Sequence, residues 1–345
     1  MKLTILPAGA ELLVDERTSL LEAALAAGMN LPHSCRGGNC GSCRARVLRG
    51  EFHYPNGRPL GISEAEVRDG LALLCQARAL TDMLVEISGV NFAGEARIKR
   101  LPCRIERAER WSHDVMGLFL RLPAAEDFDF QPGQYLDVLL PGGRRRSFSI
   151  ASPPTGSHLL ELHVRLVPGG EFTPPLFAQS PDKKLLNIEG PLGHFIYRES
   201  AAPMLMIGGG AGYAPLKAII EHVILRGLDR AMTLFWGCRS ERDLYADAAI
   251  RTLAQRAPRL TYVPVLSEGS AGWAGARGLV HEEVLRRMPD LADQDVYASG
   301  PPAMIDAVRS EFPPRGASPE RIYFDSFDYA PDAVERHRKI ALSSS

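Results

Sequence analysis

The chain has 345 residues, enough for two or three domains at ~150 residues each, and its 45% hydrophobic and 23% charged residues exclude a disordered chain or a coiled coil. Forty basic residues against 41 acidic ones give a net charge of −1, so no global charge attracts nucleic acid or an anionic membrane. Six cysteines are too few for a disulfide-stabilised scaffold of this length.

Neither a secretory signal nor a membrane span is predicted. The apolar run Leu3–Leu6 is shorter than the ~7 residues of a signal core, and Pro7 interrupts it. The most apolar stretch, 203–225, contains glycines, prolines and charged residues, whereas a span needs ~20 predominantly apolar residues. We therefore expect a cytoplasmic protein that binds neither membrane nor nucleic acid.

The first 90 residues predict short strands and one helix. Strand-like runs occur at Lys2–Leu6 and Glu11–Val14, and Ser19 opens a stretch of capping-box form that Gly28 ends. A loop rich in glycine and cysteine follows, and then a strand-like run at Arg44–Leu48. Residues 91–100, which have few large apolar side chains, indicate a linker.

The loop rich in cysteine carries the first chemical signal, a C-x4-C-x2-C spacing with a fourth cysteine beyond it. This spacing matches plant-type [2Fe–2S] ligation, and the glycines between the cysteines let the backbone wrap tightly and point amides at the sulfurs. A zinc ribbon would need two C-x2-C pairs, whereas this loop has one, and unrelated free cysteines would not group in so short a loop. The predicted cluster ligands are Cys35, Cys40, Cys43 and Cys75.

Residues 101–198 consist of short alternating runs separated by proline and glycine, which is typical of an antiparallel barrel. Three of these runs are Tyr135–Leu140, Arg146–Ala151 and Leu159–Val167. The middle run follows a group of arginines, whose forked donors and permanent charge suit a pyrophosphate. Such groups are also common on solvated surfaces, so the arginines alone leave both interpretations open.

From about residue 199 the pattern changes to strand, turn and helix. An apolar strand at Met204–Ile207 leads into the glycine-rich turn Gly208–Gly212, and an amphipathic helix follows and ends at Gly227. A diphosphate can meet the helix N-terminus at such a turn, although the turn lacks the last glycine of G-x-G-x-x-G. These elements predict an open parallel α/β sheet, followed by a flexible polar tail at 331–345. The further predicted strands are Met232–Trp236, Leu260–Val265, Asp295–Ala298 and Arg321–Phe324.

Together these motifs resemble a known family. The cysteine loop is similar to that of plant-type ferredoxins, and Arg146–Ser149, Gly209–Pro215 and Ser299–Met304 resemble the R-x-[YF]-S, GGTG-x-AP and CGPPxM motifs of the ferredoxin–NADP reductase superfamily. The same order of domains occurs in single-chain oxygenase reductases and in CDP-6-deoxy-Δ3,4-glucoseen reductases. The resemblance implies a multidomain fold of the α+β and α/β classes. Its parts are a β-grasp ferredoxin domain over 1–90, an antiparallel β-barrel FAD domain over 101–198 and a parallel α/β NAD(P)-binding domain over 199–330.

The resemblance also implies roles for residues that would bind FAD. Arg146 would hold the pyrophosphate, Phe148 would stack on the isoalloxazine ring, and Ser149 would form a hydrogen bond near the flavin N5. The family's usual tyrosine is Phe148 here, so a hydroxyl contact to the ribityl chain is lost. His163 by itself is more typical of a packed strand residue than of an acid or base. The implied flavin residues are Arg146, Ser147, Phe148, Ser149, His163, Val164, Gly169, Gly170 and Thr173.

For the nicotinamide nucleotide, the chain departs from the family pattern at two positions. Ala211 replaces a threonine, and Ser299 replaces a cysteine, which keeps a small polar group beside the nicotinamide without the sulfur. Ser149 and Ser299 are the predicted catalytic residues. Arg239 and Arg242 favour the 2′-phosphate of NADPH, whereas Glu241 opposes it; Glu241 together with the resemblance favours NADH over NADPH. The implied nucleotide residues are Gly209, Gly210, Gly212, Arg239, Ser240, Ser299, Gly300, Pro301 and Phe327.

The function implied is electron transfer from NAD(P)H to FAD, then to the [2Fe–2S] cluster and on to an external acceptor. The preferred hypothesis is a monomeric reductase component whose partner is the terminal oxygenase component of an aromatic-ring-hydroxylating or related system. The alternative hypothesis is a CDP-6-deoxy-Δ3,4-glucoseen reductase that acts with a sugar dehydratase. A third hypothesis, from a different class, is an iron–sulfur carrier or redox sensor without enzymatic activity, and the flavin and nucleotide motifs argue against it.

Overall fold

The computed structural model of the protein describes residues 1–33, 36–38, 41–87, 91–92, 98–179 and 181–327. The predicted ligands Cys35 and Cys40 and the predicted tail at 331–345 lie outside these residues. The chain divides into two compact units, one of residues 1–99 with 190–194 and one of residues 100–189 with 195–345. Across the described residues, none of the helices has both the length and the apolar composition needed to cross a lipid bilayer.

The first unit is built on a five-stranded sheet that one helix covers. Leu3 and Ile5 of its first strand are fully buried, whereas Lys2 is exposed, as the two-residue period of a strand dictates. The strands are β1 (Lys2–Leu6), β2 (Ala10–Leu13), β3 (Met29–Asn30), β4 (Arg44–Arg49), β5 (Phe52–His53), β6 (Leu71–Leu73), β7 (Arg78–Ala79), β8 (Met83–Glu86) and β9 (Asn91–Phe92), and the helices are α1 (Leu20–Ala26) and α2 (Glu64–Arg68). The sheet has the order β2-β1-β8-β4-β6, in which β1 is parallel to β8 and antiparallel to β2.

The predicted start and end of helix α1 are confirmed. Ser19 Oγ accepts a hydrogen bond from the Glu22 backbone N–H at 3.2 Å, which caps the first turn. After the helix, Gly28 takes the left-handed conformation with φ +79°, which a residue with a Cβ adopts only at a cost. The cap and the glycine are local signals, which is why the sequence alone located this helix.

Strands occupy both ends of the segment that was predicted as a linker, residues 91–100. Its first two residues, Asn91–Phe92, pair as β9 with β3, and the next strand already begins at Lys99. Strand β9 was not predicted, because its hydrogen-bond partner β3 lies far away along the chain. The linker itself stays a prediction.

The second unit begins with an antiparallel sheet, which we call the barrel lobe (residues 100–189). Its six strands have the order β13-β12-β15-β10-β11-β14, and a bridge between Ile150 and Leu162 joins the two outer strands. The inward side chains, such as Leu118 and Leu120, form one apolar core. The elements are β10 (Lys99–Arg110), β11 (Val115–Arg121), β12 (Tyr135–Leu139), β13 (Arg145–Ser149), β14 (Leu159–Arg165), α3 (Thr173–Ala178) and β15 (Leu185–Leu192).

The remainder of the second unit is a parallel sheet between two layers of helices, which we call the parallel-sheet lobe (residues 195–327). Alternate residues of β16 face opposite layers: Met206 packs with α4 and α5 on one side, and Ile207 packs with α6 and α7 on the other. The elements are β16 (Met204–Gly209), α4 (Tyr213–Leu225), β17 (Met232–Cys238), α5 (Asp247–Arg256), β18 (Leu260–Leu266), β19 (Ala276–Arg277), α6 (Val280–Arg287), β20 (Asp295–Gly300), α7 (Pro302–Glu311) and β21 (Ile322–Ser326).

The strand order of the parallel sheet determines where a ligand can bind. The order is β19-β18-β17-β16-β20-β21, and all neighbours that pair are parallel. The chain winds outward from β16 in one direction through β17 and in the other through β20. A crevice therefore opens beyond the carboxyl ends of β16 and β20, which is the usual ligand site of such sheets.

Candidate functional site

The described part of the cysteine site lies in the first unit. Cys43 immediately precedes β4, Cys75 follows β6, and both thiols are buried and free of disulfides. The Cys75 backbone N–H donates to Cys43 Sγ at 3.4 Å. The next side chain, Gln76, donates from Nε2 to the carbonyl oxygen of Arg36 at 2.8 Å and so holds the cysteine loop. Two neighbouring thiols, one of which already accepts an amide hydrogen bond, fit the ligand set of an iron–sulfur cluster.

The glycine in the middle of the cysteine loop is required by its surroundings. Gly38 has φ +83°, and a Cβ on it would lie 2.6 Å from Pro59 Cβ. Its carbonyl oxygen accepts a hydrogen bond from the Gly61 N–H at 2.8 Å, so the loop is tied to the neighbouring segment. The tight backbone path that we predicted from the glycine content is therefore present in the described part of the loop.

In the second unit, the three arginines before β13 have different partners. Arg144 forms an ion pair with Glu171, and Arg145 forms one with Glu189. Burial acts to raise the pKa of Glu189, but the hydrogen bonds and charges of Arg145 and Arg100 together outweigh it, so the pKa is lowered. Arg146 donates to the carbonyl oxygen of Arg145 at 2.8 Å. Binding of a pyrophosphate by Arg146 rests on its place in the motif and stays a prediction.

The remaining side chains of β13 fit a flavin to different degrees. The Phe148 ring is half-buried and lies 5.6 Å from that of Phe172, tilted by 47°. Ser149 is buried, and no described group forms a hydrogen bond with its Oγ. A buried hydroxyl without a protein partner is costly unless a ligand satisfies it. Ser147, by contrast, is exposed and donates to Asp137 Oδ1 at 2.6 Å, so its hydroxyl already has a partner.

The side chains of two predicted flavin residues on β14 have contacts inside the protein. His163 is buried, its Nδ1 lies 2.8 Å from Tyr245 Oη, and its Nε2 lies 2.9 Å from Glu161 Oε1. Val164 is fully buried among the apolar side chains of the barrel lobe. Any contact that Val164 makes with FAD would therefore use its backbone, and both ring nitrogens of His163 already have partners.

Groups of the second predicted phosphate loop also form hydrogen bonds within the protein. Thr173 Oγ1 accepts from the Val167 backbone N–H at 2.9 Å, and the Gly170 N–H donates to the Val167 carbonyl oxygen at 2.9 Å. Helix α3 starts at Thr173, and Pro174–Pro175 supply no N–H to its first turn. Gly169 takes a left-handed conformation with φ +73°. The Thr173 hydroxyl stabilises this turn, and its contact with FAD phosphates stays a prediction.

The glycine-rich turn and the loop after β20 meet backbone to backbone in the crevice. A Cβ on Gly212 would lie 2.0 Å from the Ser299 carbonyl oxygen, and one on Gly209 would lie 2.6 Å from Pro301 Cδ. A Cβ on Gly300 would lie 3.0 Å from the Gly209 nitrogen. The two motifs, which are 90 residues apart in sequence, therefore form one site. This is the position that the strand order predicts for a dinucleotide.

Ser299, the predicted catalytic residue of this crevice, also has a hydroxyl without a hydrogen-bond partner among the described residues. The residue is fully buried. The predicted neighbour Phe327 donates its backbone N–H to the Gly300 carbonyl oxygen at 2.9 Å, so it lies beside the same loop. An enclosed hydroxyl, a glycine-rich turn and an aromatic side chain together fit a nicotinamide nucleotide.

The segment after β17 contains the residues predicted to contact the nucleotide's ribose. Arg239 is exposed, whereas Ser240 Oγ donates to Asp243 Oδ2 at 2.7 Å. Glu241 Oε1 accepts hydrogen bonds from the Ser270 hydroxyl at 2.5 Å and from the Ser270 N–H at 3.0 Å. The hydroxyl bond is the main reason why the pKa of Glu241 is lowered. Glu241 therefore stays ionised at neutral pH.

Sequence reasoning missed residues that the fold brings to the crevice. Arg165 is held by Asp114 at 2.8 Å, and its guanidinium would lie 3.2 Å from a Cβ on Gly210. It thus places a cation beside the glycine-rich turn. The available signal was its position on β14, two residues after His163 on the same side of the strand. Glu161 and its partner Lys217 were missed as well, since no motif contains them.

Comparison with known proteins identifies three domains in the chain. A 2Fe-2S iron-sulfur cluster binding domain matches residues 3–80, an oxidoreductase FAD-binding domain matches residues 102–197, and an oxidoreductase NAD-binding domain matches residues 206–310. The chain therefore binds a [2Fe–2S] cluster, FAD and NADH or NADPH. These domains do not support a carrier without enzymatic activity.

Similar proteins match along nearly the whole chain. The CDP-6-deoxy-L-threo-D-glycero-4-hexulose-3-dehydrase reductase of Yersinia pestis is 35% identical over 321 residues, which are 93% of this chain and 96% of that protein. The reductase component of propane 2-monooxygenase from Mycolicibacterium goodii is 31% identical over 338 residues, 94% of this chain and 97% of that protein. The crystal structure of an Amycolatopsis cytochrome P450 reductase superposes with a TM-score of 0.80 and 32% identity, covering 95% of this chain and 98% of that one. The chain therefore belongs to the family of single-chain reductases that join a plant-type [2Fe–2S] domain to a ferredoxin–NADP reductase-like FAD and NAD module, and it is an NAD(P)H-dependent oxidoreductase.

Proposed function

We propose that the protein is the reductase component of an oxygenase system, which oxidises NADH and delivers electrons to a terminal oxygenase. The observation that carries this proposal is the presence of three cofactor domains in one chain, 94% of which matches the reductase component of propane 2-monooxygenase. When bound, FAD supplies the conversion of a two-electron hydride donor into the one-electron steps that a [2Fe–2S] cluster can accept. We place this monomeric reductase in the cytoplasm, where NADH is available.

The proposal assigns each cofactor to residues of this chain. Cys35, Cys40, Cys43 and Cys75 hold the irons. Arg146 binds the FAD pyrophosphate, Phe148 lies against the flavin ring and Ser149 donates to it. In the crevice, Ser299 offers its hydroxyl to the nicotinamide, and the glycine-rich turn accommodates the diphosphate. The buried, unsatisfied hydroxyls of Ser149 and Ser299 support these assignments, because each needs a partner that the described protein residues do not provide.

The assignment of Arg146 predicts the affinity for FAD. Arg146→Ala removes a charge-assisted hydrogen bond typically worth ~1.5–3 kcal/mol, so the affinity should fall roughly tenfold to a hundredfold. Fluorescence titration of the apoprotein with FAD measures this. The matched control is Arg144→Ala, which removes an arginine already paired with Glu171 and should change the affinity less than about threefold. Equal affinities of the wild type and Arg146→Ala would refute the assignment.

The preference for NADH tests the function as a whole. The purified protein should reduce both ferricyanide and cytochrome c with NADH, and its kcat/KM for NADH should exceed that for NADPH by at least about tenfold, because the ionised Glu241 repels a 2′-phosphate. Steady-state rates with both nucleotides measure this. Absence of ferricyanide reduction with either nucleotide would contradict the proposed function, whereas a tenfold preference for NADPH would contradict the role of Glu241.

A second candidate partner is a sugar dehydratase. The Yersinia pestis reductase at 35% identity, which is named for a CDP-hexulose dehydrase, favours it. Both partners would draw electrons through the same three cofactors, so the chemistry within this chain does not separate them. Reconstitution does: an oxygenase partner consumes dioxygen in proportion to NADH, whereas a dehydratase partner is reduced without consuming it.

A further inference from the structure

Within the second unit, a hydrogen-bonded chain joins the barrel lobe to the parallel-sheet lobe. We call it the Glu161 network, and it consists of Glu161, His163, Lys217 and Tyr245. Tyr245 Oη lies 2.8 Å from His163 Nδ1, and His163 Nε2 lies 2.9 Å from Glu161 Oε1. Lys217 Nζ donates to Glu161 Oε2 at 2.9 Å and to the Ala151 carbonyl oxygen at 3.4 Å. Two positions of the parallel-sheet lobe thus converge on one barrel strand, β14.

The direction of each hydrogen bond in the network follows from protonation. Burial acts to raise the pKa of Glu161, but the hydrogen bond from His163 and the charge of Lys217 outweigh it and set the pKa at about 2. A carboxylate only accepts hydrogen bonds, so His163 must donate from Nε2 and accept at Nδ1. Tyr245 is then the donor to His163. Burial also lowers the pKa of His163, which keeps this ring neutral.

On the parallel-sheet side, aromatic packing connects the network to the glycine-rich turn. The Tyr245 ring stacks on Trp111 of the barrel lobe, with centroids 6.1 Å apart and planes 9° from parallel. The Tyr245 ring also packs edge to face against Trp236, with ring centroids 5.1 Å apart. Trp236 donates from Nε1 to the Gly210 carbonyl oxygen at 2.8 Å. A displacement of Tyr245 would therefore be passed through one rigid ring to the nucleotide-binding turn.

On the barrel side, the network adjoins the end of the flavin strand. The Ala151 N–H donates to the Glu161 carbonyl oxygen at 2.7 Å, and Ile150 bridges to Leu162. Ser149 immediately precedes Ile150 and Ala151 in the chain. The same residue, Glu161, therefore fixes the backbone beyond Ser149 and, through its side chain, the lobe that contains the nucleotide turn.

We propose that the Glu161 network is a positioning device that holds the nucleotide-binding turn at a fixed distance from the flavin strand during hydride transfer. This inference rests on the proposed function. Hydride transfer is sensitive to small displacements, and a misplacement of about 1 Å can cost up to about a hundredfold in rate. Stability alone would not need this arrangement, because apolar side chains of similar volume commonly replace buried ion pairs without loss of stability.

The test compares two tyrosines that each lose a hydroxyl. Tyr245→Phe removes the donor to His163 and thereby one link between the lobes. The control is Tyr262→Phe, because Tyr262 donates to Asp247 at 2.9 Å within the parallel-sheet lobe alone. In anaerobic stopped-flow experiments on the FAD-loaded chain, Tyr245→Phe should lower the limiting rate constant of flavin reduction by NADH about tenfold, with an unchanged Kd for NADH. The control should stay within about twofold of the wild type.

A readout independent of turnover accompanies the rates. In the FAD-loaded protein without nucleotide, amide hydrogen exchange of segments 159–165 and 213–225 should accelerate in Tyr245→Phe and remain unchanged in Tyr262→Phe. If Tyr245→Phe does not retain FAD, Lys217→Met replaces it in the test, because this substitution removes the ion pair with Glu161. Lys217→Met should also lower the limiting rate constant of flavin reduction about tenfold.

The outcomes separate the two claims. Failure of the wild type to reduce its flavin with NADH would contradict the proposed function, whatever the variants do. If the wild type reduces its flavin with NADH, but Tyr245→Phe and Tyr262→Phe have the same rate of flavin reduction and the same amide hydrogen exchange, the positioning role is overturned. A Tyr245→Phe effect confined to the Kd for NADH would overturn it too, because positioning acts on the rate of the step and not on binding.

Discussion

Replacing Cys75 with serine should remove most of the iron from the protein while leaving its flavin chemistry intact. A serine oxygen is a harder ligand than a thiolate and binds an iron–sulfur cluster poorly. Cys75 is buried and directs its amide at Cys43, so both the ligand and the local hydrogen bond belong to the cluster site. Cytochrome c reduction should fall more than about tenfold, whereas ferricyanide, which takes electrons directly from flavin, should be reduced within about twofold of the wild-type rate.

The iron content, the FAD content and the two activities are measured on the same preparation. The matched control is Cys103→Ser, since Cys103 is a buried thiol in the barrel lobe, where burial raises its pKa to about 12. This variant should keep its iron. Loss of ferricyanide reduction in a Cys75→Ser protein that still holds FAD would show that the flavin does not precede the cluster. Full iron content in Cys75→Ser would show that this residue is not a ligand.

Adding a single methyl group at Gly212 should disable the nucleotide site. The new Cβ would lie 2.0 Å from the Ser299 carbonyl oxygen, so the loop after β20 has to move away from the glycine-rich turn. Backbone displacement by overpacking typically costs ~1–3 kcal/mol, and when that cost falls on the nucleotide complex the affinity for NAD⁺ drops about fivefold to a hundredfold. The FAD affinity should not change, because β13 is not touched by this substitution.

Titration of the FAD-loaded protein with NAD⁺ measures the effect of Gly212→Ala. Gly272→Ala is the control: it adds the same methyl group at an exposed glycine, where the new Cβ would lie 3.9 Å from Ser270 Oγ. Its NAD⁺ affinity should match that of the wild type. An unchanged affinity in Gly212→Ala would mean that the nucleotide does not use the contact between these two loops.

Local chemistry was enough to predict several elements from the sequence. The cap at Ser19 and the left-handed Gly28 bound helix α1, and the periodic apolar residues before Gly227 predicted helix α4. Each signal depends only on residues within a few positions of one another. The cysteine spacing is of the same kind, because one short loop supplies three of the predicted ligands.

Other elements were missed because their stability comes from distant partners. Strand β8 is parallel to β1, with Leu3 opposite Met83, and neither the length nor the composition of such a short segment separates a strand from a loop. β9, inside the predicted linker, exists only because it pairs with β3. Thr173 and Ser240 were predicted to contact cofactors from motif position, and those contacts stay predictions; their hydrogen bonds inside the protein were not predicted.

The sequence by itself determined which cofactors the chain binds, a [2Fe–2S] cluster, FAD and a nicotinamide nucleotide, and it predicted candidate residues for each of them. These are properties of residue type and spacing, which the sequence states directly. Only the tertiary structure brought Gly212 against Ser299 and joined Tyr245, His163, Glu161 and Lys217 into one network. Contacts between residues more than 50 positions apart depend on strand order and sheet packing, and those are decided by the burial of apolar side chains over the whole unit rather than by any local signal.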